Sequence, residues 1–372
     1  MRTTLAALAI VLAAGCTRTL EFDVVRVAGD VHVHSSTGSN DTDGVSFEAD
    51  IADAAVAAGL GFVVVTDHSN ATGSMHCEDV EDCPNLGPEF PAEGSDDGLA
   101  LVIGNEISPI GAGHVGCLPP DGGFAFDGAF IDRPEGEVTA ADAVQQCRDA
   151  GGLSVANHPF GLPWIAWDWS TLAYDAIEVW NGGWRWDPSD RDALAAWECS
   201  VARGLHVIPL AASDNHRVGI VPPGEALDPP LGQPRTSVAL LPGVEPGWPA
   251  IRRALQTGRV VLHEADTFVE ATALAWAPKW EQWSLAGVSL APAVLELRSI
   301  PEDDDCDPAD AEPLSDVLWS ADVDGAFTVE TDRLEHDPDA SRKRYLVLVP
   351  ATWGEPGAGG VALTGLLETP AD

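Results

Sequence analysis

The sequence predicts a parallel α/β barrel followed by a small antiparallel β-sandwich-like domain. Three observations carry this prediction. Residues 28–265 alternate short apolar, β-branched runs with amphipathic helical stretches. His, Asp, Asn and Glu recur at the C-terminal ends of those runs. Across residues 269–372 helical periodicity gives way to short apolar runs separated by Pro-, Gly- and Asp-rich turns.

Residues 1–16 read as an export signal. Arg2 precedes an apolar run from Leu5 to Ala14 that is too short to span a bilayer, and Ala13-Ala14-Gly15-Cys16 places small residues before a cysteine. The pattern resembles a bacterial lipoprotein signal, so Cys16 is expected to be lipidated. The protein is then a membrane-anchored lipoprotein of the cell envelope, periplasmic or on the outer surface, with plain secretion as the alternative. Residues 17–27 are a short linker.

The stretch Gly29-Asp30-Val31-His32-Val33-His34-Ser35 is the opening strand. Val31 and Val33 favour extended backbone, and a period of two places His32 and His34 on one face, where they can share a metal ion. The loop from Ser35 to Gly44 is rich in turn-forming, oxygen-bearing residues, with Asp43 as its leading ligand candidate and Asp41 as a second. Phe47 to Ala58 follows as an amphipathic helix closed by Gly59. Phe62 to Thr66 has the apolar run of a strand buried on both faces and ends in Asp67-His68.

Residues 69–98 form a long polar connection suited to a lid or rim. Leu99 to Ile103 is the third strand; Glu106 follows it, and His114 comes after a Gly-rich turn. Thr139 caps a helix reaching Ala150, and the strand Leu153 to Ala156 runs into Asn157-His158. Ala176 to Trp180 is a strand, Pro188 to Arg203 a helix, and His206 to Ala212 a strand ending in Ser213-Asp214-Asn215-His216. The strand Thr236 to Leu240, the helix Trp248 to Gln256 and the strand Arg259 to His263 complete the alternation. In a parallel barrel the C-terminal strand ends converge on one mouth, and the candidates all fall there.

Beyond Val269 the expected strands are Val294 to Leu297, Val317 to Trp319, Phe327 to Glu330 and Tyr345 to Val349. The acidic run Glu302 to Asp305 lacks the spacing of an EF-hand loop and reads as a solvated turn.

With 372 residues, 45% of them hydrophobic, the chain can bury a large core. Its 59 acidic and 19 basic side chains give a net charge of −40, which repels phosphate backbones and anionic lipid. Nucleic acid is excluded as a partner on this ground, and membrane contact is left to a lipid on Cys16. Cys77, Cys83, Cys117, Cys147, Cys199 and Cys306 make an even set in an exported chain, which points to disulfides. Cys77 and Cys83 bracket a short acidic loop and are the first candidates for a pair. No Cys-x-x-Cys occurs, which argues against a cysteine zinc site.

In order and in placement, Asp30-x-His32-x-His34, Asp43, Asp67-His68, Glu106, His114, Asn157-His158 and Asp214-x-His216 resemble the ligand set of the PHP (polymerase and histidinol phosphatase) metallohydrolases. Ile177-Glu178-Val179-Trp180-Asn181-Gly182, the export signal and the β-rich tail look most like the CehA/McbA-type branch. The resemblance implies a distorted (β/α)7 barrel holding two or three divalent ions, whether Zn, Mn or Fe. It implies that His32 and His34 bind a first ion completed by Asp214, and that Glu106 bridges it to a second held by His114 and His158. Asp43, His68 and His216 would hold a third. Glu106, Asp214 and His216 are the expected catalytic residues, with Asp30, Asp67 and Asn157 orienting imidazoles or shaping loops. Arg185 and Arg217 are rare positive charges near the expected mouth and are candidates for gripping an anionic substrate.

The activity implied is that of an exported metal-dependent hydrolase, a phosphoesterase using a metal-activated hydroxide on a small, anionic ester. Hydrolysis of carbamate, carboxyl ester or amide bonds on the same site is the alternative. A third reading is a non-catalytic surface binding lipoprotein.

Overall fold

In the computed structural model of the chain, the described residues are 25–36, 38–39, 42–68, 98–107, 113–123, 139–160, 173–182, 186–218, 229–264, 267–277, 280–310, 312–335, 343–350 and 361–367. The export signal, Asp41, the connection 69–97 with Cys77 and Cys83, and Arg185 lie outside them.

The strand and helix signals of residues 28–265 form close to where they are read, and two strands beyond those expected, around Glu106 and from His114, join them. The strands are β1 (Val25–Val33), β2 (Phe62–Val65), β3 (Ala100–Ile103), β4 (Asn105–Ile107), β5 (His114–Leu118), β6 (Leu153–Asn157), β7 (Ala176–Asn181), β8 (Ile208–Ala212), β9 (Arg235–Leu240) and β10 (Val260–His263). Among the described residues four α-helices accompany them: α1 (Glu48–Ala57), α2 (Ala140–Asp149), α3 (Pro188–Ala202) and α4 (Trp248–Gln256). Their starts have local causes. The Thr139 side chain accepts from the Asp142 backbone N–H, and Asp187 accepts from Ser189 N–H just before Pro188 fixes the first helical φ.

Among the described residues the strands form two sheets rather than the one continuous closed barrel expected. They fall into a sheet ordered β4-β5-β6-β7-β8 and a larger one in which β10, β9, β1, β2 and β3 are neighbours. β4, β5 and β6 pair antiparallel, and the few residues between β4 and β5 are too few for the crossover that a parallel pair needs. β9 is likewise antiparallel to β1 on one side and to β10 on the other. The two sheets meet at two isolated parallel bridges, Val33 with Asn215 and His68 with Glu106. Asp214 N–H donates to the His32 carbonyl at 3.0 Å and Glu106 N–H to the Asp67 carbonyl at 3.0 Å, so both seams run beneath the candidate ligands.

The C-terminal strands extend the larger sheet. They are β11 (Phe268–Ala277), β12 (Trp280–Ile300), β13 (Asp316–Glu330), β14 (Leu334–Glu335), β15 (Lys343–Pro350) and β16 (Ala362–Thr364). β16 lies between β15 and β10, so the expected separate sandwich is built instead as a continuation of the same hydrogen-bonded sheet. β12 alternates buried and less buried residues, apart from an exposed break at Leu290-Ala291-Pro292. Trp283 and Leu285 before the break share an apolar core with Leu295 and Leu297 after it.

Among the described residues two disulfides tie elements together, Cys117–Cys147 and Cys199–Cys306. Beside the second, the fully buried Glu198 of α3 accepts from the Tyr345 hydroxyl, from Ser315 Oγ at 2.6 Å and from Leu314 N–H at 2.7 Å. A carboxylate out of water is tolerated only with such a set of donors.

His263 is buried where the C-terminal strands join, with Nε2 2.7 Å from Ser237 Oγ and Nδ1 2.6 Å from the Glu264 carbonyl. Burial, reinforced by Arg235 and Arg26 against that carbonyl bond, pushes its pKa down to about 4. An unfolded chain, titrating near pH 6.5, then binds more protons than the folded one, so this residue removes stability as pH falls through the window from 6.5 to 4. The full effect is about 3 kcal/mol. Urea unfolding of metal-free His263→Gln is expected to show a correspondingly smaller loss over that window. A loss equal to that of the parent chain would assign the acid sensitivity elsewhere.

Candidate metal centre

The seams gather side chains that are far apart in sequence. His32 lies in β1, His34 just past it, His68 after β2, Glu106 in β4, His114 at the start of β5, His158 after β6, and Asp214 and His216 after β8. His32, His34, His68 and Glu106 are buried, and the other four are partly covered. His158 and Asp214 adopt φ of 29° and 53°, a left-handed backbone that residues with a Cβ seldom take, and such positions cluster at functional sites.

The surroundings fix which ring nitrogens carry protons. His32 Nδ1 lies 2.8 Å from Glu178 Oε1, an acceptor only, so that nitrogen donates. Ser39 Oγ takes the His68 backbone N–H at 3.1 Å and gives its own proton to Asp67 Oδ1 at 2.9 Å. Its remaining lone pair faces His34 Nδ1 at 3.0 Å, so that nitrogen donates as well. Both rings therefore turn Nε2 inward.

Those two Nε2 atoms are 3.1 Å apart, and Asp214 Oδ1 is 3.2 Å from each. Glu106 Oε1 is a further 3.2 Å from His32 Nε2. A single proton on His32 Nε2 can serve only one of these acceptors well, and the buried Asp214 Oδ1 makes no hydrogen bond. A cation that several lone pairs can share satisfies all of them, so the donor set fits a metal ion. Among the described residues four overlapping groups can hold one: His34, His68 and His216; His32, Glu106 and His158; His32, His34 and Asp214; His68, Glu106 and His114.

Charge reinforces the geometry. Burial pulls His32 down, but Asp214, Glu106 and Glu178 outweigh it and hold this imidazole well above the ordinary histidine value. Burial, then repulsion from His216 and His68, pushes His34 down to about 3. For Glu106 burial acts upward, and His114, His32 and His68 overcome it and hold the carboxyl well below the usual range. Asp214 behaves alike, with His32 its main opponent to burial. His34, Glu106 and Asp214 are thus held in the deprotonated forms that metal ligation requires.

No family model matches the chain, and no curated protein matches it. Among solved structures, a Bacteroides vulgatus two-domain protein containing a predicted PHP-like metal-dependent phosphoesterase is 15% identical, with 96% of this chain and 100% of that one covered and a TM-score of 0.47. PsfC from Pseudomonas syringae is 20% identical over 62% of this chain and 88% of its own, with a TM-score of 0.42.

Of the sequence-derived candidates, Asp43 is not brought into any of the four groups. Its Oδ1 accepts from the backbone N–H groups of Val45 and Ser46, both at 2.9 Å, so it shapes its own loop. Asp30 touches no imidazole ring; it accepts from Ser213 Oγ at 2.5 Å and Gly232 N–H at 2.7 Å and ties β1 to the segments after β8. Burial raises both Asp30 and Asp67 to about 6, against the hydrogen bonds they receive. Asn157 Nδ2 donates to Glu106 Oε1 at 2.9 Å and so orients a carboxylate rather than an imidazole. Arg217 follows His216, and its backbone N–H caps Asn215 Oδ1 at 3.1 Å. Two residues went unassigned in the sequence, Ser39 and Glu178. For Glu178 a signal existed, a lone carboxylate inside the apolar strand Ala-Ile-Glu-Val-Trp.

Proposed function

We propose that this protein is a metal-dependent hydrolase, acting as a phosphoesterase on a small anionic ester. The observation that carries the reading is the convergence of His32 Nε2, His34 Nε2 and Asp214 Oδ1 within 3.2 Å, around a position no single proton can satisfy. Overlap of the four groups through His32, His34, His68 and Glu106 supports a centre of two or three ions. Divalent ions, when bound, polarise substrate oxygens and lower the pKa of water from about 16 toward about 7. His32, His34, His68, His114, His158, His216, Glu106 and Asp214 would hold them.

The remaining groups position and exclude. Ser213 and Ser39 are buried, with Ser213 Oγ on Asp30 and Ser39 Oγ engaged by His34, Asp67 and the His68 N–H, so neither hydroxyl is presented to a substrate. We place the chemistry in residues 28–265, with 269–372 as the β-rich domain, and the chain outside the cytoplasm, anchored through Cys16. The disulfides Cys117–Cys147 and Cys199–Cys306 support an oxidising compartment.

Metal-reconstituted protein tested on nitrophenyl phosphate mono- and diesters beside naphthyl carbamates and acetates decides the substrate class. Turnover of the phosphate esters is expected. Turnover restricted to the carboxyl-type substrates would replace the phosphoesterase reading with the carbamate, ester or amide one, and inertness toward both panels would favour a binding role.

A further inference from the structure

Glu178 is 1% exposed in the middle of β7, and it belongs to none of the four metal-holding groups. A buried carboxylate is costly unless fully engaged, so its partners show its purpose. Oε1 faces His32 Nδ1 at 2.8 Å, while Oε2 accepts from the His158 backbone N–H at 2.9 Å and from Asn181 Nδ2 at 2.8 Å. One side chain thereby grips two ligand residues from different sheets: His32 from β1, and His158, whose backbone sits at φ 29°.

We infer that Glu178 is a positioning residue for the metal centre, holding His32 with Nε2 turned inward and pinning His158 in its left-handed conformation. The inference rests on the metal reading of the cluster. Its reach follows from counting donors. Three N–H groups converge on this carboxylate, and all need an acceptor. A glutamine offers one acceptor and one donor. With its amide nitrogen toward His158 and Asn181, N–H meets N–H and His158 is released. With the amide nitrogen toward His32, the ring must accept at Nδ1 and carry its proton on Nε2, the atom that faces the cluster.

The test is zinc binding by the full chain, measured by equilibrium dialysis with elemental analysis and by competition with a chromophoric chelator, at a temperature where the metal-free proteins are folded. Glu178→Gln is expected to weaken zinc binding by about 10–100-fold, as loss of such supporting partners does. Glu178→Asp, which keeps the charge but shortens the reach, should fall between it and the parent chain, and it decides the matter if Glu178→Gln does not fold. Parental zinc affinity in either folded variant, even with a lowered melting temperature, would show that Glu178 serves only the fold and would overturn the inference while leaving the metal reading intact. If the parent chain itself takes up no zinc, manganese or iron, both fall.

Discussion

Replacing His32 and His34 together by alanine is expected to strip the centre of metal at three of its four groups and to lower hydrolysis by at least about 10³-fold, with the fold retained. The magnitude follows because loss of a single supporting partner already costs about 10–100-fold, and here two inward-facing nitrogens disappear. Only the group of His68, Glu106 and His114 contains neither residue. The fold should persist because β1 keeps its backbone pairing with β2 and β9, and because Val31 and Val33 stay buried in apolar clusters. Elemental analysis beside a thermal melt checks both halves. Full metal content or undiminished turnover in the folded double variant would remove His32 and His34 from the centre.

How much of this was legible in the sequence depends on how local each signal is. The β-branched neighbours of His32 and His34 and the period of a strand placed both rings together, and their Nε2 atoms do converge. Polar residues at strand ends located His68, His158, Asp214 and His216 for the same reason, since the chain leaves the sheet where its apolar run stops. Asp43 stands as close to His34 in sequence as many true neighbours do, but nothing local reveals that Val45 and Ser46 N–H groups would engage it first. Ser39 was illegible in a loop where almost every residue bears an oxygen. Long-range pairing leaves no local trace at all. The β10–β16 ladder, Val261 opposite Thr364, makes the C-terminal strands part of the larger sheet, and neither segment announces the other. Gly104 hid a strand break: a Cβ there would stand 2.8 Å from the Cys117 carbonyl, so the chain needs glycine between β3 and β4 to bring Glu106 across to the second sheet.

That crossing makes Glu106 the residue on which the two sheets jointly depend for the proposed metal centre. Its Oε1 lies 2.9 Å from His114 Nδ1 and 3.2 Å from both His158 Nε2 and His32 Nε2, and its Oε2 lies 3.1 Å from His68 Nδ1. Glu106→Gln keeps the shape but puts an N–H donor where a lone pair stood and removes the charge that balances these imidazoles. Two groups lose their shared carboxylate, while His34–His68–His216 and His32–His34–Asp214 do not contain it. Metal content is therefore expected to fall by at least one ion without reaching zero, a smaller loss than the histidine pair's because two groups rather than three are broken, and hydrolysis to fall by at least about 10²-fold, since a direct ligand is lost rather than a supporting one. Native mass spectrometry of the reconstituted variants separates the two patterns. A Glu106→Gln protein with the parent's full complement of metal would mean that the carboxylate neutralises the imidazoles without ligating, and that the centre is held by the His34 side of the pocket alone.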